Sequence, residues 1–358
     1  MSGDGDGLET DDGGESVTVA HGAGSGETRR FLEERVVPRF GANGDDDGEA
    51  DAPAVGLGAL DDGAVHEVGD RSLVVTTDSH VVSPLSFPGG DIGRLAVAGT
   101  VNDLAVMGAT DPLALTCSLV VEEGTSVELL DSVLDSMQAA CEEVGCRITA
   151  GDTKVMGSGE VDGVVVNTTG VGVVPQGGHV TDAGLSPGDK LVVSGPLGDH
   201  GITLLTAREG FDIVGDLESD VAPVGDLVAA ALDAGEVTAM KDPTRGGFAT
   251  AINEMVRKAD VGATLDETAI PVREPVASAG ELLGIDPLDV ANEGKVVFGV
   301  APDDAEAVVE ALRATPSGQA AAIIGEVTDE NRGRVVLDTG FGRRYLSEPE
   351  GRQLPRIC

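Results

Sequence analysis

Apolar residues in this chain alternate between short blocks of strand length and longer stretches with helical spacing, and that alternation limits it to layered folds. Residues 72–77 read as a buried strand, and residues 92–107 follow with Ile92, Leu95, Ala96, Val101, Leu104 and Ala105 on a helical stripe. Residues 113–120 give the next strand. The helix after it carries Leu130, Val133, Leu134, Met137 and Cys141, opened by the capping-box spacing of Thr125 and Glu128. Strands at 147–150 and 164–174 complete a first unit, and a stretch rich in Gly, Pro and Asp, residues 175–188, reads as a linker. A second unit opens with a strand at 190–194 and alternates to about Leu337. Such repetition buries sheet faces under helices, so the expectation is a mixed α/β (α+β) protein, and 358 residues make two cores more favourable than one.

The formal charge of -40 arises from 63 acidic residues against 23 basic ones. A field of that sign repels nucleic acid and anionic membranes. Acidic residues sit between apolar ones, as in Val127-Glu128-Leu129-Leu130-Asp131, which reads as a charged coat on a folded body adapted to concentrated salt. No apolar run reaches membrane-spanning length and no signal core follows a basic start, so the expected location is cytoplasmic. Four cysteines in a chain this long do not make a disulfide framework.

Residues 1–16 are almost devoid of apolar side chains and read as a disordered acidic leader; residues 41–51 read as an acidic surface loop. Domains are expected at 17–175 and 186–346. Residues 347–358 hold two prolines and no apolar period, which describes a mobile tail.

Several clusters join small residues to charges. The glycines at 22, 24 and 26, after His21, have the freedom to turn backbone N–H groups toward phosphate, though the ending of a P-loop is missing; a flexible linker is the other reading. Asp62, Asp78, Asp103 and Asp242 are scattered carboxylates of the kind that hold nucleotide-bound magnesium if they converge, and are plain surface if they do not. Lys154, in Gly151-Asp152-Thr153-Lys154, and Lys295, in Asn292-Glu293-Gly294-Lys295, are two of only five lysines. The five histidines lack metal-ligand spacing, and no Ser-His-Asp pattern is present. Cys358 ends the tail; twelve extended residues reach about 40 Å, so its thiol could visit more than one site.

Taken together, Phe87-Pro88-Gly89-Gly90-Asp91, Gly99-Thr100-Val101-Asn102-Asp103, Gly151-Asp152-Thr153-Lys154, Leu197-Gly198-Asp199-His200-Gly201, Asp242-Pro243-Thr244-Arg245-Gly246-Gly247, Asn292-Glu293-Gly294-Lys295 and Pro355-Arg356-Ile357-Cys358 resemble the HypE family of hydrogenase maturation factors. That family lies in the superfamily of aminoimidazole ribonucleotide (AIR) synthetase and selenophosphate synthetase. The resemblance runs from about Val19 to Cys358, with Ser25 interrupting the family's His-Gly-Ala-Gly-Gly.

The resemblance implies a PurM-like, AIR synthetase-like fold that pairs through its first sheets into a homodimer. It implies Asp62, Asp103 and Asp242 as magnesium ligands. Asp78, Asn102, Gly151, Asp152 and Thr153 would contact ATP beneath the His21, Gly22 and Gly24 segment. The implied reaction is ATP-dependent dehydration of a carbamoyl group on the Cys358 sulfur to a thiocyanate, with Lys154 neutralising charge and Glu293 as base. A HypF-type carbamoyl transferase would load the thiol, and a HypC–HypD complex would take the cyanide for the iron of nickel-iron hydrogenase. Two other readings stand beside it: another ATP-dependent member of the superfamily, or a non-catalytic acidic scaffold presenting a thiol.

Overall fold

The computed structural model describes residues 16–24, 26–41, 53–210 and 217–349. The acidic leader up to residue 15, most of the 41–51 loop, Ser25 and Cys358 lie outside them. The chain opens with helices α1 (Gly26–Phe31) and α2 (Val37–Phe40), joined by a π turn, and then enters β1 (Ala64–Val68) and β2 (Arg71–His80). A small hairpin, β3 (Ser86–Phe87) and β4 (Gly90–Asp91), leads into α3 (Ile92–Val106), β5 (Pro112–Glu122), α4 (Val127–Glu143), β6 (Ile148–Met156) and β7 (Val164–Pro175). These form a five-stranded sheet in the order β1-β2-β7-β5-β6, antiparallel except where α4 carries the chain from β5 to a parallel β6.

The remainder runs β8 (Lys190–Val193), α5 (Asp199–Glu209), α6 (Gly225–Ala234), β9 (Val237–Lys241), α7 (Gly247–Lys258), β10 (Gly262–Asp266), α8 (Glu274–Leu283), β11 (Val297–Val300), α9 (Ala305–Arg313), β12 (Ala322–Thr328), β13 (Val335–Asp338) and β14 (Arg343–Leu346). Its seven strands are ordered β14-β13-β10-β12-β8-β11-β9.

The period-2 pattern explains the first sheet. In β7, Val164, Val166, Thr168 and Val174 point into the core while Val165, Asn167, Val171 and Val173 face the other way, half-buried. Helix α3 lies on the inner face and is apolar on nearly every side. A helix of that kind must be covered all round. Leu95 and Val101 share a core with Leu115 and Val166 of the sheet and Met137 of α4. Ala105 and Val106 join Val192, Met240 and Phe298 of the second sheet. Helix α3 is thus the shared wall of the two units.

Two sequence expectations need correction. The cap of α4 is Ser126, whose hydroxyl accepts from Leu129 N–H at 3.1 Å, because Thr125 is drawn aside toward the Gly163 carbonyl. The supposed linker is also packed: Asp182 is 1% exposed and ion-paired to Lys241 and Lys258. Among the described residues no helix is long and apolar enough to cross a membrane.

Candidate active site

A cleft of ≈ 530 Å³ opens where the edge of the first sheet meets the turn after β9. Asp62 reaches it from the loop before β1, Thr76 to His80 from the end of β2, and Asp103 from α3. Asp242, Thr244 and Arg245 come from the β9–α7 turn, and Glu293 from the loop before β11.

Carboxylate oxygens of Asp62, Asp103 and Asp242 lie within 4.8 Å of one another. Three like charges this close cannot all ionise freely. Burial first, then the carboxylates of Asp242, Asp78 and Asp62, push Asp103 well above the usual range. Burial and Asp62 push Asp242 up to about 8. One oxygen each of Asp62 and Asp242 is buried without a hydrogen-bond partner. A buried, unpaired carboxylate oxygen is costly, and a divalent cation satisfies all three groups at once. The residues present therefore fit magnesium.

The site rests on a buried ionic frame that the sequence reading missed. Lys241 Nζ holds Asp62 at 2.8 Å and Asp182 at 3.2 Å, and Lys258 Nζ reaches Asp182 at 2.6 Å. Asp61 beside it is pushed up to about 7 by burial and then by Asp62 and Asp182. The only sequence signal was the scarcity of lysine, which had singled out Lys154 and Lys295 instead. At the cleft mouth, Asp78 pairs with His80 at 3.3 Å and with Arg245 at 3.6 Å. Burial raises its pKa, but His80 and Arg245 outweigh that and hold it below the ordinary value.

The N-terminal glycine segment lies against this mouth. A Cβ on Gly24 would stand 2.1 Å from Arg245 Cβ, and one on Gly246 (φ +77) would stand 2.4 Å from the Gly24 carbonyl oxygen, so only glycines allow the contact. His21 turns away, its Nδ1 accepting from Thr18 N–H at 3.0 Å and its ring meeting Phe31 edge-on. Gly22 has open space around it. Glu348, at the root of the tail, pairs with Arg29 of α1 at 3.2 Å and also with Arg257 of α7. The tail therefore leaves the described body beside the glycine segment.

Three expectations come out differently. Asn102 does not face the cleft: its Nδ2 donates to the Ala222 and Glu293 carbonyls and its Oδ1 accepts from Val224 N–H. Successive helix residues point about 100° apart, so Asp103 faces the cleft and Asn102 clamps the second unit. Gly151, Asp152 and Thr153 lie in the exposed edge strand β6 and line a different cavity. Lys154, on the same strand, is exposed and pairs with Asp152 at 2.8 Å. Within one chain these residues do not meet the aspartates. Lys295 is tied to Asp220 at 3.0 Å, and Asp220 also accepts from Glu293 N–H at 3.1 Å, which fixes the Glu293 loop.

A second buried group stands behind that loop. His200, in the first turn of α5, bonds Ser219 Oγ through Nδ1 at 2.7 Å, while its Nε2 is buried without a hydrogen-bond partner. Burial, with help from Arg208, pushes its pKa down to about 4. Above pH 6.5 the ring is neutral in both folded and unfolded chains, and its contribution to stability is complete. As pH falls toward 4 the unfolded chain takes up a proton that the folded one refuses, so stability is lost, by about 3 kcal/mol at most. Asp199 acts in the opposite sense, pushed up to about 6 mainly by burial, but is common to both proteins in a comparison with His200→Gln. Urea titrations between pH 7 and 4 should therefore show the variant gaining on the parent as acidity rises.

The chain matches the N-terminal domain of AIR synthase related proteins over residues 60–174 and their C-terminal domain over 186–338. It is 44% identical over 346 residues to the carbamoyl dehydratase HypE of Rhodobacter capsulatus, an alignment covering 96% of this chain and 98% of the relative. A solved HypE–HypF complex aligns with a TM-score of 0.80 at 40% identity, covering 89% of this chain and 99% of that one. A HypE solved with ATP aligns at 0.78 and 37% identity, covering 96% and 100%. With motifs and fold in agreement over this length, the chain belongs to the HypE family of carbamoyl dehydratases.

Proposed function

We propose that this protein dehydrates an S-carbamoyl group on Cys358 to a thiocyanate at the expense of ATP, supplying cyanide for the iron of nickel-iron hydrogenase. The observation that carries this reading is the convergence of Asp62, Asp103 and Asp242 in a cleft that also holds the buried Glu293. An amide oxygen is a poor leaving group. Transfer of the γ-phosphoryl group onto that oxygen lets it depart as phosphate, and loss of both N–H protons leaves the nitrile: thiocarbamate plus ATP gives thiocyanate, ADP and phosphate.

The three aspartates would hold magnesium, which neutralises charge on the phosphates when bound. Asp78 and Arg245 stand at the mouth where phosphate oxygens arrive. The Gly24 backbone lies against Arg245 there. Glu293, 4% exposed, takes the protons, its loop fixed by Asp220 and Asn102. The tail runs nine residues from Pro349 to Cys358, about 30 Å when extended, so Cys358 reaches both this cleft and a HypF-type transferase outside it.

Two features support a homodimer. The outward face of the first sheet carries half-buried Leu73, Val75, Val120, Val165, Val171 and Val173, an apolar surface of the kind a second copy covers. Gly151, Asp152, Thr153 and Lys154 are remote from the aspartates of their own chain, so they serve a nucleotide only if another copy brings them to it. A HypC–HypD complex would receive the product.

Intact-mass measurement on the full chain, incubated with a HypF-type transferase, carbamoyl phosphate and ATP, tests the proposal. The carbamoyl adduct on the tail should lose one water in an ATP-dependent step; an adduct unchanged by ATP would rule the activity out. In Glu293→Gln, ATP binding should persist while dehydration slows by about 10²- to 10⁴-fold, as expected for loss of a general base. An unaltered single-turnover rate would remove Glu293 from that role.

The acidic coat fits a protein made for concentrated salt. At about 1 M salt the Debye length shrinks to ~3 Å, so self-repulsion among surface carboxylates is screened. Melting temperature should climb steadily from dilute buffer to molar salt, and a fall over that range would contradict the adaptation.

A further inference from the structure

The last turn of α4 ends in a clasp that holds two thiols side by side. Val144 N–H returns to the Ala140 carbonyl, Gly145 adopts left-handed backbone (φ +71), and Cys146 N–H donates to the Cys141 carbonyl at 3.0 Å. This is the six-to-one bond of a glycine-terminated helix, whose two ends commonly make an apolar contact. Here both ends are cysteines, joined by that backbone bond and lining one cavity together. A disulfide needs Cα atoms about 4.4–6.8 Å apart, a spacing compatible with backbones already at hydrogen-bond separation.

Both side chains are buried within the fold, at 7% and 6% exposure, yet both line a cavity of ≈ 770 Å³. Cys117 of β5 lies on its floor, and Gly151 to Thr153 form part of its rim. A small solute therefore has a route to the pair that a protein partner lacks.

We propose that Cys141 and Cys146 are a dithiol modification site, which a small two-electron oxidant of the peroxide class closes into an intrachain disulfide. The hydrogen bond from Cys146 holds the Cys141 thiol below its ordinary value, while the same contact and burial raise Cys146, so Cys141 is the attacking thiolate. Its sulfur attacks a peroxide oxygen, the O–O bond breaks, and Cys141 becomes a sulfenic acid as hydroxide leaves and is protonated. Cys146 sulfur then attacks the sulfenic sulfur, giving up its proton as the second water departs. Two thiols and one hydrogen peroxide give one disulfide and two waters. The inference rests on the helix end and the cavity alone and is independent of the reaction proposed above.

The test uses the full-length chain under native conditions, treated with hydrogen peroxide, alkylated with iodoacetamide and digested with an endoprotease that cuts after glutamate. Cuts at Glu142 and Glu143 fall between the two cysteines, so a disulfide appears as two joined peptides that dithiothreitol separates. That species should form in the parent and in Cys117→Ser, and should be lost in Cys141→Ala, with circular dichroism confirming that each variant is folded. In Cys146→Ala, a dimedone adduct should accumulate on Cys141. The proposal is overturned if both cysteines of the parent remain alkylatable after peroxide, or if the link that forms joins either of them to Cys117 or Cys358.

Discussion

Cys358→Ala should form no thiocyanate at any concentration of ATP or carbamoyl donor, while its affinity for ATP stays within about twofold of the parent. On the proposed route the reacting group is carried covalently, so removing the sulfur removes the substrate and leaves the cleft intact. Substitution by another cysteine of the chain is blocked by position: Cys117, Cys141 and Cys146 are buried on the inner side of the first sheet and line a cavity other than the aspartate cleft. Loss on this scale, with binding retained, separates a chemical role of the tail from a structural one. Intact-mass analysis reads the product and isothermal titration reads the nucleotide. Product on the variant would show that the carried group sits elsewhere, and loss of ATP binding would show that the tail helps build the pocket.

Much of the fold was legible because periodicity is a local property. The blocks at 72–77, 113–120 and 164–174 became β2, β5 and β7, each slightly longer than its pattern, and the two apolar stripes became α3 and α4, with α3 ending one residue before its pattern. The extension of β6 through Met156 was not legible. Its Gly, Asp, Thr and Lys lack a strand's apolar alternation, but an exposed edge strand needs no alternating apolar face to keep its place beside β5. The packed linker was hidden for a related reason: its composition is that of a loop, and only the third dimension shows Asp182 buried between two lysines.

The site was legible in a different way. Nothing in the spacing of 62, 103 and 242 says that three carboxylates converge; only the family resemblance grouped them, and in the fold their oxygens lie within 4.8 Å of one another. Asn102 shows where motif reading stops. It shares a motif with Asp103, yet the helix turns it toward the second unit, where it holds the Glu293 loop through a backbone carbonyl. The opposite error occurred at His80, which belongs to no motif yet, with Arg245, holds Asp78 below its ordinary value.

Asp103→Asn should move stability and nucleotide binding in opposite directions. In the metal-free protein Asp103 is buried against Asp242, Asp78 and Asp62, and its ionised form is unfavourable there. An amide keeps the contact that Thr76 Oγ1 makes with the side chain at 2.8 Å and removes one of the repelling charges. The metal-free variant should therefore melt higher than the parent, by a margin that widens as pH rises and shrinks as acid protonates the parent carboxyl. Binding of magnesium nucleotide should fall by about 100-fold, because on the proposed reading one of three anionic ligands has become neutral. Calorimetric melts with and without magnesium and ATP read both effects on one sample. A merely structural aspartate would lose stability on substitution and leave the ligand-induced rise in melting temperature unchanged; a metal ligand gains the first and loses the second.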